Sequence, residues 1–351
     1  MKKIIVIIFC LSTIVNAKTR FGKYAGEFMA IGIGGRALGM GSAYTALAND
    51  VTAAYWNPAG LSRITYPELA LMHDERFGNL INYDYAAVAL PFGANSTDSI
   101  LGVTNYNASS FGFSIIRLGV DEIADTRKTW IDTNGNGLFD DGSTIRPDLR
   151  QITYFNAADW VLYFTYSKQH SENFYYGANL KLIRRDITEF HGTGIGVDIA
   201  ALFSPMENLF LGANLQDATT TLISWNTGTT ELISPTLKFG AAYSLNVWEG
   251  KLTPSFGADF RNEGRTFSTA VSVGPISMDP YAGIEYDFKN IFALRAGYND
   301  IGNLTLGAGV HLRKIDIDYS FAKFNADDEL GNTHRISLRV VLQEEKYKRG
   351  E

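Results

Sequence analysis

A single cysteine, Cys10, serves the whole chain of 351 residues, and five histidines are scattered through it. Cys10 lies inside an N-terminal stretch that reads as a Sec signal peptide. Lys2 and Lys3 precede a short apolar run from Ile4 to Phe9, and Val15-Asn16-Ala17 offers a small-residue cleavage site. No small residue precedes Cys10, which argues against a lipoprotein anchor. Residues 18–351 are then free of cysteine, which excludes disulfides and thiolate chemistry there. Basic residues are short relative to acidic ones. Of 31 Lys and Arg, removing Lys2 and Lys3 leaves 29 against 37 Asp and Glu, a net charge of −8 that argues against a nucleic-acid surface. After the signal, no stretch approaches the roughly 18 apolar residues of a membrane helix. Mean hydropathy is near zero, at −0.05.

Catalytic patterns are scarce as well. His73, His170, His191, His311 and His334 show no metal spacing, and neither H-E-x-x-H nor G-x-S-x-G occurs. His311 reads as a hydrogen-bonded lumenal residue, and Asp259 and Glu285 read as lumen lining. The expectation is a non-enzyme.

What the sequence does have is aromatics and alternation. Tyr (18) and Phe (22) are abundant in an exported chain without a helical anchor, as expected when only alternate residues face lipid. Trp160, Leu162, Phe164 and Tyr166 share one face. Tyr176, Ala178, Leu180 and Leu182 alternate with Gly177, Asn179 and Lys181; Leu294, Ala296 and Tyr298 alternate with Arg295 and Gly297. Strands are expected near 67–74, 83–91, 99–106, 159–168, 173–184, 195–203, 208–216, 235–246, 251–261, 280–288, 291–299, 303–312, 314–323 and 332–342. The fold class is therefore all-β, a transmembrane antiparallel barrel of about 14 strands. The run at 111–118 is assigned to a loop, within a long extracellular insertion at 107–158. Connections after even-numbered strands are short and those after odd-numbered ones longer. A soluble sandwich has no reason to obey that parity, which places both termini in the periplasm. Two connections fit it poorly: 92–98 is long and 300–302 short.

Polar residues recur on the expected inner face: Asn179, Lys181, Asp198, Asn214, Lys238, Asp259, Glu285, Arg295, His311 and Arg335. They fit a hydrated or plugged lumen, and equally a set of ion pairs bracing the wall.

Residues 18–62 do not alternate. Gly32 to Asp50 is rich in small residues that let backbone approach backbone. Ser42 to Ala48 can form a short helix, and Asn57 can cap a second helical turn with Pro58 at its first position. Gly32-x-Gly34-x-x-Ala37 mimics a dinucleotide fingerprint but lacks a parallel βαβ unit around it. The pattern Gly35-Arg36-Ala37-Leu38-Gly39-Met40-Gly41-Ser42-Ala43-Tyr44-Thr45-Ala46-Leu47-Ala48-Asn49-Asp50, followed by Ala53-Ala54-Tyr55-Trp56-Asn57-Pro58-Ala59-Gly60-Leu61, resembles the N-terminal signature of the PorV/PorQ family. It is similar also to the FadL-like superfamily of long-chain fatty-acid transporters. The resemblance covers about residues 32–61 and implies a 14-stranded barrel whose N-terminal hatch, 18–62, folds into the lumen of the barrel at 63–351. It implies hatch-positioning roles for Gly35, Arg36, Gly39, Gly41, Asn49, Asp50, Tyr55, Trp56, Asn57, Pro58 and Gly60.

One constellation has ligand spacing. In Asp132-Thr133-Asn134-Gly135-Asn136-Gly137-Leu138-Phe139-Asp140-Asp141, oxygen side chains alternate and Gly137 permits the sharp turn. Asp132, Asn134, Asn136, the Leu138 carbonyl, and Asp140 or Asp141 could hold a structural Ca2+. Ser143 replaces the usual closing glutamate, and an ordinary Asn-Gly turn cluster is the alternative.

The expected function is passage of hydrophobic or small molecules across the outer membrane of a Gram-negative-type cell, with lipid as the surrounding partner. The alternative is a PorV-like protein-interaction component of a type IX secretion system, its long outer loops holding secretion partners or cargo.

Overall fold

The computed structural model describes residues 18–21, 26–76, 80–98, 103–129, 148–262, 269–322 and 333–349. The signal stretch 1–17 and the candidate calcium loop lie outside the described residues. Fourteen strands form the wall. They are β1 (Glu68–Arg76), β2 (Ile81–Phe92), β3 (Ser109–Asp125), β4 (Thr153–Ser171), β5 (Phe174–Ile187), β6 (Phe190–Met206) and β7 (Leu209–Gln216). Then come β8 (Thr236–Tyr243), β9 (Gly250–Asn262), β10 (Ile276–Phe288), β11 (Phe292–Tyr298), β12 (Leu304–His311), β13 (Ile315–Ala322) and β14 (Thr333–Val341). Each pairs antiparallel with the next. β14 returns to pair with β1, Leu338 opposite Leu71, so the sheet closes and has no free edge.

The wall is inside-out relative to a soluble protein. Leu71, Phe111, Phe164, Ile199, Phe256 and Leu294 are exposed, whereas Asn179, Lys181, Asp198, Asn214, Asp259 and Arg295 are buried. All ten expected inner-face residues follow this rule except His311, which is half-buried. Apolar residues outside and polar ones inside minimise cost only when the outside is hydrocarbon. The fold is that of an outer-membrane β-barrel.

Three expectations need correction. The third wall strand is 109–125, not 99–106, and the run assigned to a loop is part of it. Val103–Asn105 instead pairs with Ser96–Asp98 in a small separate hairpin. Register is the reason: Phe111 stands opposite Leu90 on one side and Tyr166 on the other, which continues the ring. The long insertion thus shrinks from 107–158 to the 126–152 connection, because strand also occupies its ends. The parity of the connections holds only in part. Residues 172–173, 207–208 and 289–291 are short on what we call the turn end, but 93–108 is long. On the opposite, loop end, β5 and β6 meet through residues 188–189 alone.

The third correction concerns the N terminus. Lys18–Phe21 pairs parallel with Thr229–Leu232, in the connection between β7 and β8. That connection belongs to the loop end. The C-terminal stretch lies at the turn end, where the Arg349 amide donates to the Thr65 carbonyl at 2.9 Å. The two ends of the described chain therefore sit on opposite sides of the barrel.

Candidate functional site

Residues 26–64 connect those two sides. Short helices span Gly35–Gly39 and Ala53–Trp56, and a 3₁₀ turn spans Pro58–Arg63. The helix expected at Ser42–Ala48 is not formed. Gly41 and Ser42 both adopt positive φ, 61° and 69°, and this breaks the helical run into turns. The expected cap is present: the Asn57 side chain accepts from the Ala59 amide, with Pro58 first in the turn.

Wall side chains on many strands bond to this segment. Ser167 on β4 donates to the Ala59 carbonyl at 2.8 Å, Asn179 on β5 to that of Ala54 at 2.7 Å, and Asn214 on β7 to that of Trp56 at 3.0 Å. Ser255 on β9 donates to Ala43 at 2.7 Å, and Thr305 on β12 to Gly39 at 3.2 Å. Ser337 on β14 accepts from the Gly35 amide at 2.9 Å. A segment bonded to strands spread around a closed ring runs through its interior. These bonds satisfy backbone groups that short helices and turns leave unpaired.

Arg36 makes the principal charged contact. Its Nε and Nη2 reach Glu285 Oε2 and Oε1 on β10 at 2.9 and 2.8 Å, a two-point guanidinium–carboxylate pair. Arg36 Nη1 also donates to the Tyr44 hydroxyl and to Asn49 Oδ1. The Tyr44 hydroxyl donates to Asp50 Oδ2 at 2.9 Å. Glu285 is shared with Arg295, which also reaches Asp318. Arg339 pairs with Glu68 and Asp316, and Glu68 accepts from the Val51 amide. The inner-face polar residues form ion pairs along the wall, and Arg36 and the Val51 amide of the segment join the same network.

The remaining motif residues hold the segment to itself and to the wall. The Tyr55 hydroxyl donates to the Met29 carbonyl at 2.6 Å, and Trp56 Nε1 to that of Ile33 at 3.0 Å. The two rings meet edge-on, 4.9 Å apart. Asn57 Nδ2 donates to Thr45 within the segment and to Ala201 on β6. Gly60 has no room for a side chain, since a Cβ would lie 2.1 Å from the Ala48 carbonyl oxygen. At Gly41 a Cβ would meet the backbone of Tyr298 at 2.7 Å, and one on the facing Gly297 would meet the Gly41 nitrogen at 2.2 Å. All eleven motif residues are thus assembled in the interior. The six candidate calcium ligands are among the residues not described.

The interior is divided by chemistry. Phe28, Met29, Tyr55, Tyr163, Ile183 and Ile223 belong to one apolar cluster between the segment and the wall. A cavity of about 890 Å³ lies toward the turn end, lined by Arg36, Arg63, Glu285, His311, Arg313 and Arg339 among others. Sequence reading missed Tyr44, Glu68 and Arg339 as members of this network. Only the inward parity of Glu68 and Arg339 could have signalled the last two.

Comparison with known proteins bears on the same regions. Residues 10–89 match a family described as Uncharacterised protein family UPF0164, which spans the segment, β1 and most of β2. No curated protein sequence matches the chain. The structure resembles the Ralstonia pickettii toluene transporter TbuX at 12% identity, covering 88% of this chain and 98% of that one, with a TM-score of 0.53. It resembles the CymD monoaromatic hydrocarbon channel at 12% identity over 90% and 98%, with a TM-score of 0.50. At these identities the likeness is one of fold: a barrel shared with outer-membrane transporters.

Proposed function

We propose that this chain is a non-enzymatic outer-membrane channel for small hydrophobic molecules, with residues 18–62 as its hatch. The observation that carries the reading is the route of the segment. It runs through the barrel, tied to the wall by hydrogen bonds and one two-point ion pair, contacts that can be exchanged without unfolding the wall. The apolar cluster around Phe28 and Tyr163 is buried between the segment and the wall, and in this reading movement of the segment uncovers it to a hydrophobic molecule. In this reading the charged cavity at the turn end is the exit. The resembling barrels named for toluene and monoaromatic hydrocarbons support this substrate class.

A deletion strain tests the proposal. Uptake of labelled toluene and of labelled fatty acid should fall, and return with the wild-type gene. Unchanged uptake with loss of secreted proteins from the medium would refute it in favour of a PorV-like secretion component. We also propose that Asp132, Asn134, Asn136, the Leu138 carbonyl and Asp140 or Asp141 bind calcium on the loop side. Titration calorimetry on the refolded protein, with Asp132→Ala plus Asn136→Ala as the control, should detect binding heat only in the parent.

A further inference from the structure

A second concavity lies on the outside of the wall, where β14, β1, β2, β3 and β4 run side by side. Its volume is about 700 Å³. The floor is apolar: Leu71, Ala86, Ile115, Ile336 and Leu338 line it, and Leu71 and Ile336 are 57% and 59% exposed. On each of four strands the outward residue changes character toward the loop end. Leu71 gives way to His73 and Glu75 on β1, Ala86 to Asp84 on β2, Ile115 to Arg117 on β3, and Ile336 to His334 on β14.

These rim groups are mutually engaged. His73 Nδ1 lies 2.7 Å from Asp84 Oδ1, and its Nε2 lies 3.5 Å from Glu75. Arg117 reaches Asp84 only at 3.5 Å and lies over the Trp160 ring, 5.7 Å from its centroid. His334 Nδ1 is 2.6 Å from the Tyr319 hydroxyl. Charged groups on the lipid face of a barrel are costly unless they meet polar partners; here they meet one another, and the result is a rim of both signs bordering an apolar floor.

The geometry points to a bound lipid with a phosphoethanolamine-type head group. The apolar floor takes an acyl chain running toward the turn end, while the rim meets the head at the loop end. The rim carries both signs. Arg117, His73 and His334 can donate to a phosphate, and Glu75 and Asp84 can accept from an ammonium. A purely anionic head would meet Glu75 and Asp84 unfavourably. This site lies on the opposite face of the wall from the hatch and does not depend on its role.

Native mass spectrometry tests the assignment on the processed full-length protein in neutral detergent. Equal amounts of phosphatidylethanolamine and phosphatidylglycerol with the same acyl chains are offered together. The wild type should retain one phosphatidylethanolamine about fivefold more than phosphatidylglycerol. Glu75→Gln with Asp84→Asn should abolish that preference while phosphatidylglycerol retention holds or rises. Arg117→Ala with His334→Ala should lower retention of both lipids. Heat-resistant migration in a detergent gel verifies that each variant barrel is folded. Equal retention of the two lipids by the wild type, or a preference unmoved in the acid double variant, overturns the proposal. So does disulfide cross-linking of two copies through His73→Cys in lipid vesicles, since a second barrel would then occupy the groove.

Discussion

Arg36 shows what one charged side chain adds where the segment is otherwise held to the wall by single hydrogen bonds, those of Gly35 to Ser337 and of Thr305 to Gly39. Its planar fork matches both oxygens of Glu285, and lysine cannot reproduce that geometry. Hydrogen bonds to charged groups contribute about 1.5–3 kcal/mol each, reduced here because the Arg36 side chain is about a quarter exposed. Glu285 keeps Arg295 when Arg36 is lost, so the wall does not inherit an orphaned charge. Arg36→Ala should therefore loosen the segment and leave the barrel folded. Faster entry of a hydrophobic dye into cells, with unaltered heat-resistant migration, is the expected result, and Arg36→Lys should fall between. A second prediction at this scale concerns the loop end. The Arg127 side chain donates to Asp125 and holds its carboxyl down at about 2. The Thr188 hydroxyl, and after it Arg127, hold Glu189 down at about 2 as well. Both groups sit below their ordinary values of 3.8 and 4.5, so the contact stabilises the folded form above that range. It is lost as the pH falls through about 2. Hydrogen exchange around Arg127 should be flat from pH 7 to about 5, after correction for intrinsic rate, and accelerate below about 4. Arg127→Gln should speed exchange there already at pH 7 and reduce the acceleration at low pH, because the folded and unfolded values then converge.

At the level of elements, the segment docks because facing positions lack side chains. Gly297 on β11 and Gly41 in the segment touch backbone to backbone. Gly297→Ala leaves every wall hydrogen bond available, yet its methyl would enter the space of Gly41. The barrel should fold while the segment is displaced locally, so limited proteolysis should cut within residues 36–50 in the variant and spare the wild type. β3 illustrates the opposite case, an element whose sequence signal was ambiguous. Residues 99–106 and 109–118 both alternate, and period alone cannot choose between them. β3 also runs on past Arg117, with a register shift between Val120 and Ile123 and Glu122 at φ 56°, which breaks the alternation there.

For the whole molecule, the decisive feature is that the described chain begins at the loop end and crosses the interior before β1 starts at the turn end. Residues 18–351 contain no cysteine, so a single introduced thiol is a clean probe. Thr19→Cys should react with a membrane-impermeant maleimide on intact cells, and so should a cysteine in the connection between β7 and β8. A cysteine at Glu207, in the connection between β6 and β7, should react only after the outer membrane is opened. Labelling of Glu207→Cys but not Thr19→Cys on intact cells would reverse the assigned orientation.

Alternation after Pro67 determined by itself that this chain forms an inside-out antiparallel wall, and of the ten polar residues it placed on the inner face all but His311 are buried. The reason is local: neighbouring side chains on a strand must face opposite sides, so one glance at period two separates lipid from lumen. The Asn57-Pro58 turn was legible for the same reason, since a cap and its helix are adjacent in sequence. Only the tertiary structure decided that Arg36 meets Glu285, 249 residues away, that 109–125 rather than 99–106 completes the ring, and that the N-terminal strand lies at the loop end. Those facts depend on the register of closure and on which wall glycines admit a passing backbone. Neither leaves a periodic trace along the chain.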